Sequence, residues 1–202
     1  MKTSGKIGLG VLAALVFAAV GGCGYYTSTY NAMVSKGEAV SGLWAQVENQ
    51  YQRRLDLIPN LVATVKGYAA HEAEVLEGVA EARARAGGVL QVPEGALNDA
   101  ESFGRFQRAQ SELSGALQRL LMVSENYPDL KANANFLALQ DQLEGTENRI
   151  AVERNRFNAA VRDYNAFIRG VPRVWIAESH GFEQKAYFAA DARAASAPVV
   201  GF

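Results

Sequence analysis

The chain has 202 residues, 49% of them hydrophobic, which is enough for one domain with a packed core. A charged fraction of 20% is that of an ordinary globular body, neither disordered nor polyionic. Net charge is −1, and with Lys2 and Lys6 set aside 18 basic residues face 21 acidic ones; a balance of −3 without a basic stripe argues against nucleic acid as a partner.

Residues 1–26 read as a targeting or anchoring segment. Lys2 and Lys6 form a positive start, a 14-residue run without charge covers 7–20, and Gly21-Gly22-Cys23 follows. Fourteen residues suit a signal-peptide core better than a bilayer span, which needs roughly 20. On that reading Val20-Gly21-Gly22-Cys23 resembles a bacterial lipoprotein box, and Cys23 is the lipid attachment site. On the rival reading the apolar run extends to Tyr26, and Tyr25, Tyr26 and Tyr30 are interfacial aromatics ending one transmembrane helix. The plainest alternative is a small, buried, unreactive Cys23. Both membrane readings keep the amino end in the cytoplasm and put residues from about 27 onward in the periplasm or cell exterior, because positive charge stays inside. A single cysteine excludes an intramolecular disulfide.

From about 26 to about 86 the residues Val40, Trp44, Val47, Tyr51, Leu55, Ile58, Val62, Val65, Ala69, Glu72, Leu76 and Val79 recur in steps of three and four, one stripe of a helix. Pro59 lies inside the stripe. It cannot donate to the Leu55 carbonyl, which costs about 3 kcal/mol in a straight helix. Either the helix kinks there or a new one starts with Pro59 in its first turn. A helix of about 60 residues would outrun its neighbours and leave the turns from Tyr30 to Trp44 free to self-associate as a homo-oligomer.

Gly87-Gly88 ends the helix, and Pro93, Gly95 and Asn98 mark a loop. Asn98 or Asp99 caps a second helix carrying Phe103, Phe106, Leu113, Leu117, Leu120 and Leu121 to about Asn126. After Tyr127-Pro128-Asp129 a third starts near Leu130, buries Phe136, Leu139, Leu143, Ile150, Phe157, Val161, Tyr164 and Ile168, and stops at Gly170 and Pro172. The remainder, 173–202, reads as an irregular tail with Trp175, Phe182, Tyr187 and Phe188 as anchors on the bundle. Tyr30-Asn31-Ala32-Met33-Val34 is echoed by Tyr164-Asn165-Ala166-Phe167-Ile168. In an up-and-down bundle the two would meet at one pole, beside the membrane, unless the likeness is chance.

Ingredients for catalysis are scarce. His71-Glu72 opens like a zincin motif, but position 75 is Val where a ligand His must stand. A di-metal bundle wants Glu three residues before His, and here Tyr68 precedes His71 and Ala177 precedes His180 at that spacing. Phosphate-binding loops and the nucleophile elbow are missing from the sequence. We expect no catalytic, cofactor-binding or metal-binding residues and no enzyme activity. Among the helical charges Arg53, Arg54, Asp56, Lys66, Glu72, Glu144, Glu147, Arg149, Glu153 and Arg154, the plain reading is a solvated face, with Arg149 and Glu153 spaced for a pair. The sharper one is a polar layer between helices, with Glu72, on the apolar phase, needing an Arg or Lys partner.

The segments Tyr30-Asn31-Ala32-Met33-Val34, Trp44-Ala45-Gln46-Val47-Glu48-Asn49-Gln50 and Arg53-Arg54-Leu55-Asp56-Leu57-Ile58-Pro59-Asn60-Leu61-Val62 closely resemble the LemA family of bacterial membrane-anchored proteins. So do Ala63-Thr64-Val65-Lys66-Gly67-Tyr68-Ala69, His71-Glu72, Ala82-Arg83-Ala84 and Asn126-Tyr127-Pro128-Asp129-Leu130-Lys131-Ala132-Asn133. Glu147-Asn148-Arg149-Ile150-Ala151, Tyr164-Asn165, Gly181-Phe182, Tyr187-Phe188 and Pro198-Val199-Val200-Gly201-Phe202 continue the likeness; the first twenty residues and 87–104 match weakly. The resemblance implies an all-α, antiparallel up-and-down bundle of four helical segments over 27–172. It also implies an envelope protein that binds other envelope or membrane proteins. Members of the family are associated with magnetosome membranes and found beside membrane peptidases. A scaffold or adaptor is expected first, and an accessory or sensing subunit of a membrane protease or signalling protein second.

Overall fold

A helix carrying apolar residues every third or fourth position must bury that stripe, and four such stripes close on one another here. The computed structural model describes residues 2–90 and 97–189. Its elements are α1 (Lys2–Lys66), α2 (Ala73–Gly88), α3 (Ala100–Ser124), the single turn α4 (Pro128–Lys131), α5 (Ala134–Arg169) and the short α6 (Arg173–Ser179). Among the described residues all regular structure is helical. The chain runs up, down, up and down through α1, α2, α3 and α5, as an antiparallel bundle should. The expected loop residues Pro93 and Gly95 and the closing Pro198-Val199-Val200-Gly201-Phe202 lie outside the described residues.

The predicted stripes are the core. Val40, Trp44, Val47, Tyr51, Leu55, Ile58 and Val65 of α1 are buried, as are Phe103, Phe106, Leu113, Leu117 and Leu120 of α3 and Phe136, Leu143, Ile150, Phe157, Val161, Tyr164 and Ile168 of α5. Each large side chain so buried contributes roughly 1.5–3 kcal/mol. Trp44 packs its ring against Phe103, Phe106, Phe157 and Phe188 at centroid distances of 5.3–6.0 Å, joining three helices and the tail. Asp99 caps α3, accepting from the backbone N–H groups of Glu101 and Ser102 at 3.1 and 3.0 Å. Asn133 caps α5 by accepting from Phe136 N–H at 3.0 Å.

Of the two readings of Pro59, the one that keeps the helix continuous holds, since α1 runs through it to Lys66. Several other expectations are corrected. The break lies at 67–72, where Tyr68 and Ala69 N–H groups close a tight turn on Val65 O. The stripe keeps phase across this turn because Ala69 and Leu76 both face the core. Arg83 of α2 explains why the proline is tolerated: its Nε–H donates to Leu55 O at 3.0 Å, the carbonyl that Pro59 leaves without a helical donor. The third helix is also divided. Leu130 belongs to α4, and α5 begins only after the Asn133 cap. Residues 173–179, expected to be irregular, form α6. The turns from Tyr30 to Trp44 are not left unpaired, since Met33, Val40 and Trp44 are buried against the bundle.

Among the described residues one charged group lies in the core. Arg54 is buried, and its guanidinium donates to Glu147 Oε1 at 2.6 Å, Ser114 Oγ at 3.0 Å and the Gln110 side-chain oxygen, with its Cζ 5.1 Å from the Tyr51 ring centre. Arg54 follows Tyr51 by three residues, which puts it on the apolar stripe. The layer spans α1, α3 and α5 and fixes their register. The pair expected between Arg149 and Glu153 is replaced, because Glu153 turns to Arg156 at 2.8 Å.

Two outcomes follow from these contacts. Arg83→Ala should cost about 1–3 kcal/mol in chemical denaturation, the price of an unpaired buried acceptor, and clearly less in a Pro59→Ala background, where a helical N–H serves Leu55 O. Equal costs in both backgrounds would rule out this account of Pro59. Glu147→Ala should cost about 2–3 kcal/mol, below the usual range because the Glu147 side chain is 44% exposed and screened. Arg54→Met, which keeps the packing stem and leaves unpaired only the half-exposed Glu147 carboxylate and no buried charge, should cost less in the same assay.

Candidate functional site

Between Lys6 and Lys36 the sequence has no Asp, Glu, Lys or Arg. The first buried residue among the described ones is Thr29, so α1 projects from the bundle as a bare helix before it. Leu9, Leu12, Leu15, Val16, Phe17 and Val20 are exposed along it, Phe17 to 83%. The backbone polar groups of this segment are satisfied within the helix, and the Thr27 hydroxyl donates back to the carbonyls of Cys23 and Gly24 at 3.0 and 3.1 Å. A helix of this length and composition can cross a membrane. Cys23, the expected lipid site, is exposed on α1 one turn before Thr27.

The pole where α1 leaves the bundle is built by the chain's carboxy-terminal third. The end of α5 lies beside α1 at 36–37: Lys36 Nζ sits 5.4 Å from the Phe167 ring centre, and a Cβ on Gly37 would stand 3.8 Å from Tyr164 Cε2. The echoed segments Tyr30–Val34 and Tyr164–Ile168 therefore lie at the same end of the bundle. Here α6 buries Ile176 and Ala177 and leaves Trp175 exposed. Beyond it His180 meets α1: Tyr26 Oη and His180 Nε2 are 2.5 Å apart, and the Tyr30 ring packs on His180 at 4.8 Å and on Phe182 at 5.7 Å. His180 thus joins the end of α6 to the root of the projecting helix. Sequence reasoning tested it only as a metal ligand and missed this role.

From Phe182 the tail runs extended along α5 toward the middle of the bundle. Asn165 grips Lys185 with two bonds, accepting from its N–H and donating to its carbonyl, both at 2.9 Å. Asn158, seven residues and two turns away, does the same to Phe188 at 2.9 and 3.1 Å. The two amides act as a substitute strand edge and deliver Phe188 into the aromatic core. Phe182 and Phe188 anchor the tail as expected, whereas Trp175 and Tyr187 are exposed and do not. Lys185 lies over the Tyr164 ring; burial lowers the lysine's pKa, against the raising field of Glu38.

The opposite pole is stitched by polar side chains. Glu72 is half-buried in the α1–α2 turn and accepts from the Tyr127 hydroxyl at 3.0 Å, so its partner is a tyrosine and not the expected Arg or Lys. Tyr68 accepts from Asn133 Nδ2 at 2.9 Å. Both bonds tie the α1–α2 turn to the α3–α5 turn. His71 is exposed in the same turn. An open concavity between α2 and α3 is lined by Arg85, Arg105 and Arg108, but Arg85 already faces Glu112 at 3.2 Å and Arg105 faces Glu101 at 2.9 Å. Among the described residues no three His, Cys, Asp or Glu side chains converge as a metal site.

Residues 43–202 match the LemA family. The chain is 27% identical to magnetosome protein MamQ of Magnetospirillum gryphiswaldense over 79% of its own length and 64% of the relative's. It is also 27% identical to magnetosome proteins MamQ 2 and MamQ 1 of Paramagnetospirillum magneticum, over 93% of this chain and 76% of theirs.

Proposed function

This chain belongs to the LemA family, and on that premise we propose that it is a non-enzymatic envelope scaffold or adaptor, held to a bacterial membrane by α1 and binding other membrane proteins through its far pole. The observation that carries the reading is the continuity of α1. One helix leaves its described side chains exposed before Thr29 and carries a buried stripe after it. From Thr29 to Lys66 it rises roughly 57 Å, which sets the far pole at that height above the anchor. The far pole offers exposed Tyr68, Met122 and Leu137, on and beside turns cross-tied by Glu72–Tyr127 and Tyr68–Asn133. Rigid turns bearing exposed apolar side chains are suited to partner binding. The bundle faces the periplasm or exterior, with Lys2 and Lys6 retained in the cytoplasm.

A photo-crosslinker placed at Met122 or Leu137 in cells should capture one envelope or membrane protein repeatedly, with the same residue placed at Val152 on the bundle wall as control. Capture of only the most abundant envelope proteins from all three positions would sink the adaptor reading. A membrane peptidase as the principal product would assign the regulatory-subunit role expected second.

The competing anchor is a lipid on Cys23, whose thiol is exposed on α1 just below the bundle and which would replace the apolar residues before it once they are cleaved off. Mass spectrometry of protein from its native membrane separates the two anchors: a chain beginning at an acylated Cys23, with Cys23→Ala shed from the membrane, would assign anchoring to the lipid. An intact amino terminus, with Cys23→Ala still embedded, would instead assign all anchoring to the apolar helix.

A further inference from the structure

Two exposed apolar side chains crowd the pole from which α1 leaves the bundle. Val171 at the α5–α6 corner is 75% exposed and Trp175 on α6 is 66% exposed. Their position is set, not loose. Arg173 stacks on Phe167 with its Cζ 4.2 Å from the ring centre, Ile176 and Ala177 bury the opposite face of α6, and His180 meets Tyr26 and Tyr30. The fold thus spends one face of α6 on the bundle and turns an indole outward at the anchored end.

The height of that indole relative to a bilayer can be reckoned. A hydrocarbon core of about 30 Å takes roughly 20 helical residues, so a span beginning at Ile7 ends at Tyr26. An acyl chain on Cys23 would set the membrane surface within one turn of the same place. Under either anchor His180, bonded to Tyr26, stands at the headgroup level. Trp175 lies five residues before His180, about 7 Å along the α6 axis, comparable with the roughly 5–7 Å depth of the interfacial layer on each side. Charge around the corner is balanced, with Arg169 and Arg173 set against Glu178 and Glu183. Attraction to anionic lipid is therefore not what the corner is built for, whereas an indole has its own preference for the interface.

We propose that Trp175, with Val171 beside it, inserts into the interfacial layer of the bilayer that α1 enters, making the α5–α6 corner a second membrane contact. One helix alone lets a bundle tilt about its root; a second contact at the pole restrains that tilt. The proposal rests on the membrane anchoring of α1 described above, and its test separates the two.

The full chain and Trp175→Phe are reconstituted into phosphatidylcholine vesicles and floated on a density gradient. The chain has two tryptophans, and Trp44 is buried in the core, so the difference between the two emission spectra isolates Trp175 without disturbing the bundle. With phosphatidylcholine brominated near the top of its acyl chains, Trp175 emission should fall by roughly twofold or more, and iodide should quench it several-fold less than free indole. A chain that floats with lipid while Trp175 ignores bromine and yields to iodide overturns the second contact and leaves the anchor standing. Shielding from iodide without bromine quenching overturns it too, since protein and not lipid then covers the corner. A chain that does not float removes both.

Discussion

A single continuous helix constrains everything else in this protein. In α1 the same hydrogen-bonded backbone runs from an apolar segment that water cannot favour into a segment whose apolar stripe is buried in the bundle. No flexible linker separates the two. At 65 residues the helix would be roughly 98 Å long, against about 54 Å for α5, so the bundle can cover little more than half of it. The uncovered part carries the apolar residues that a bilayer accepts at no desolvation cost. The other elements are arranged around the covered part, and their order along α1 gives the molecule a membrane end and a far end.

Keeping so long a helix intact requires help from distant residues. Pro59 removes one backbone donor, and Arg83 from the neighbouring helix replaces it at the Leu55 carbonyl. Arg54 brings a charge into the core, where Glu147, Ser114 and Gln110 surround it. These contacts join α1 to α2, α3 and α5 with directional bonds that apolar packing alone would lack. Packing rewards many registers of a helix pair nearly equally, whereas a guanidinium among three acceptors rewards one. The same logic closes the tail. Asn158 and Asn165 present amide edges at two-turn spacing, and a chain in extended conformation satisfies both only in the register that brings Phe188 to Trp44.

Many residues behind the LemA resemblance hold the fold in these ways. Arg54, Arg83, Tyr68, Glu72, Tyr127, Asn133, Glu147 and Asn165 each occupy a turn, a cap or a cross-tie. Their chemistry is polar, yet their geometry is that of stitching, without convergence on a cleft. The magnetosome relatives share this family, and the feature that this chain most plainly exposes for work at a membrane is its anchored pole.

The sequence by itself determined the helices, their buried faces and the membrane character of the amino terminus. Heptad-like spacing and the lack of charge are local signals, written in residues a few positions apart. The α3 cap was legible to within one residue, Asn98 or Asp99, because a cap bonds its own helix. Only the tertiary structure decided where the first stripe breaks, since the tolerance of Pro59 depends on Arg83, 24 positions further along the chain. It alone decided that Glu72 meets Tyr127, that His180 meets Tyr26, and that Phe188 is core while Trp175 is not. The reason is physical: periodicity reports which face of a helix is apolar, but the partner of a polar or aromatic side chain is set by residues that packing, and not sequence distance, brings beside it.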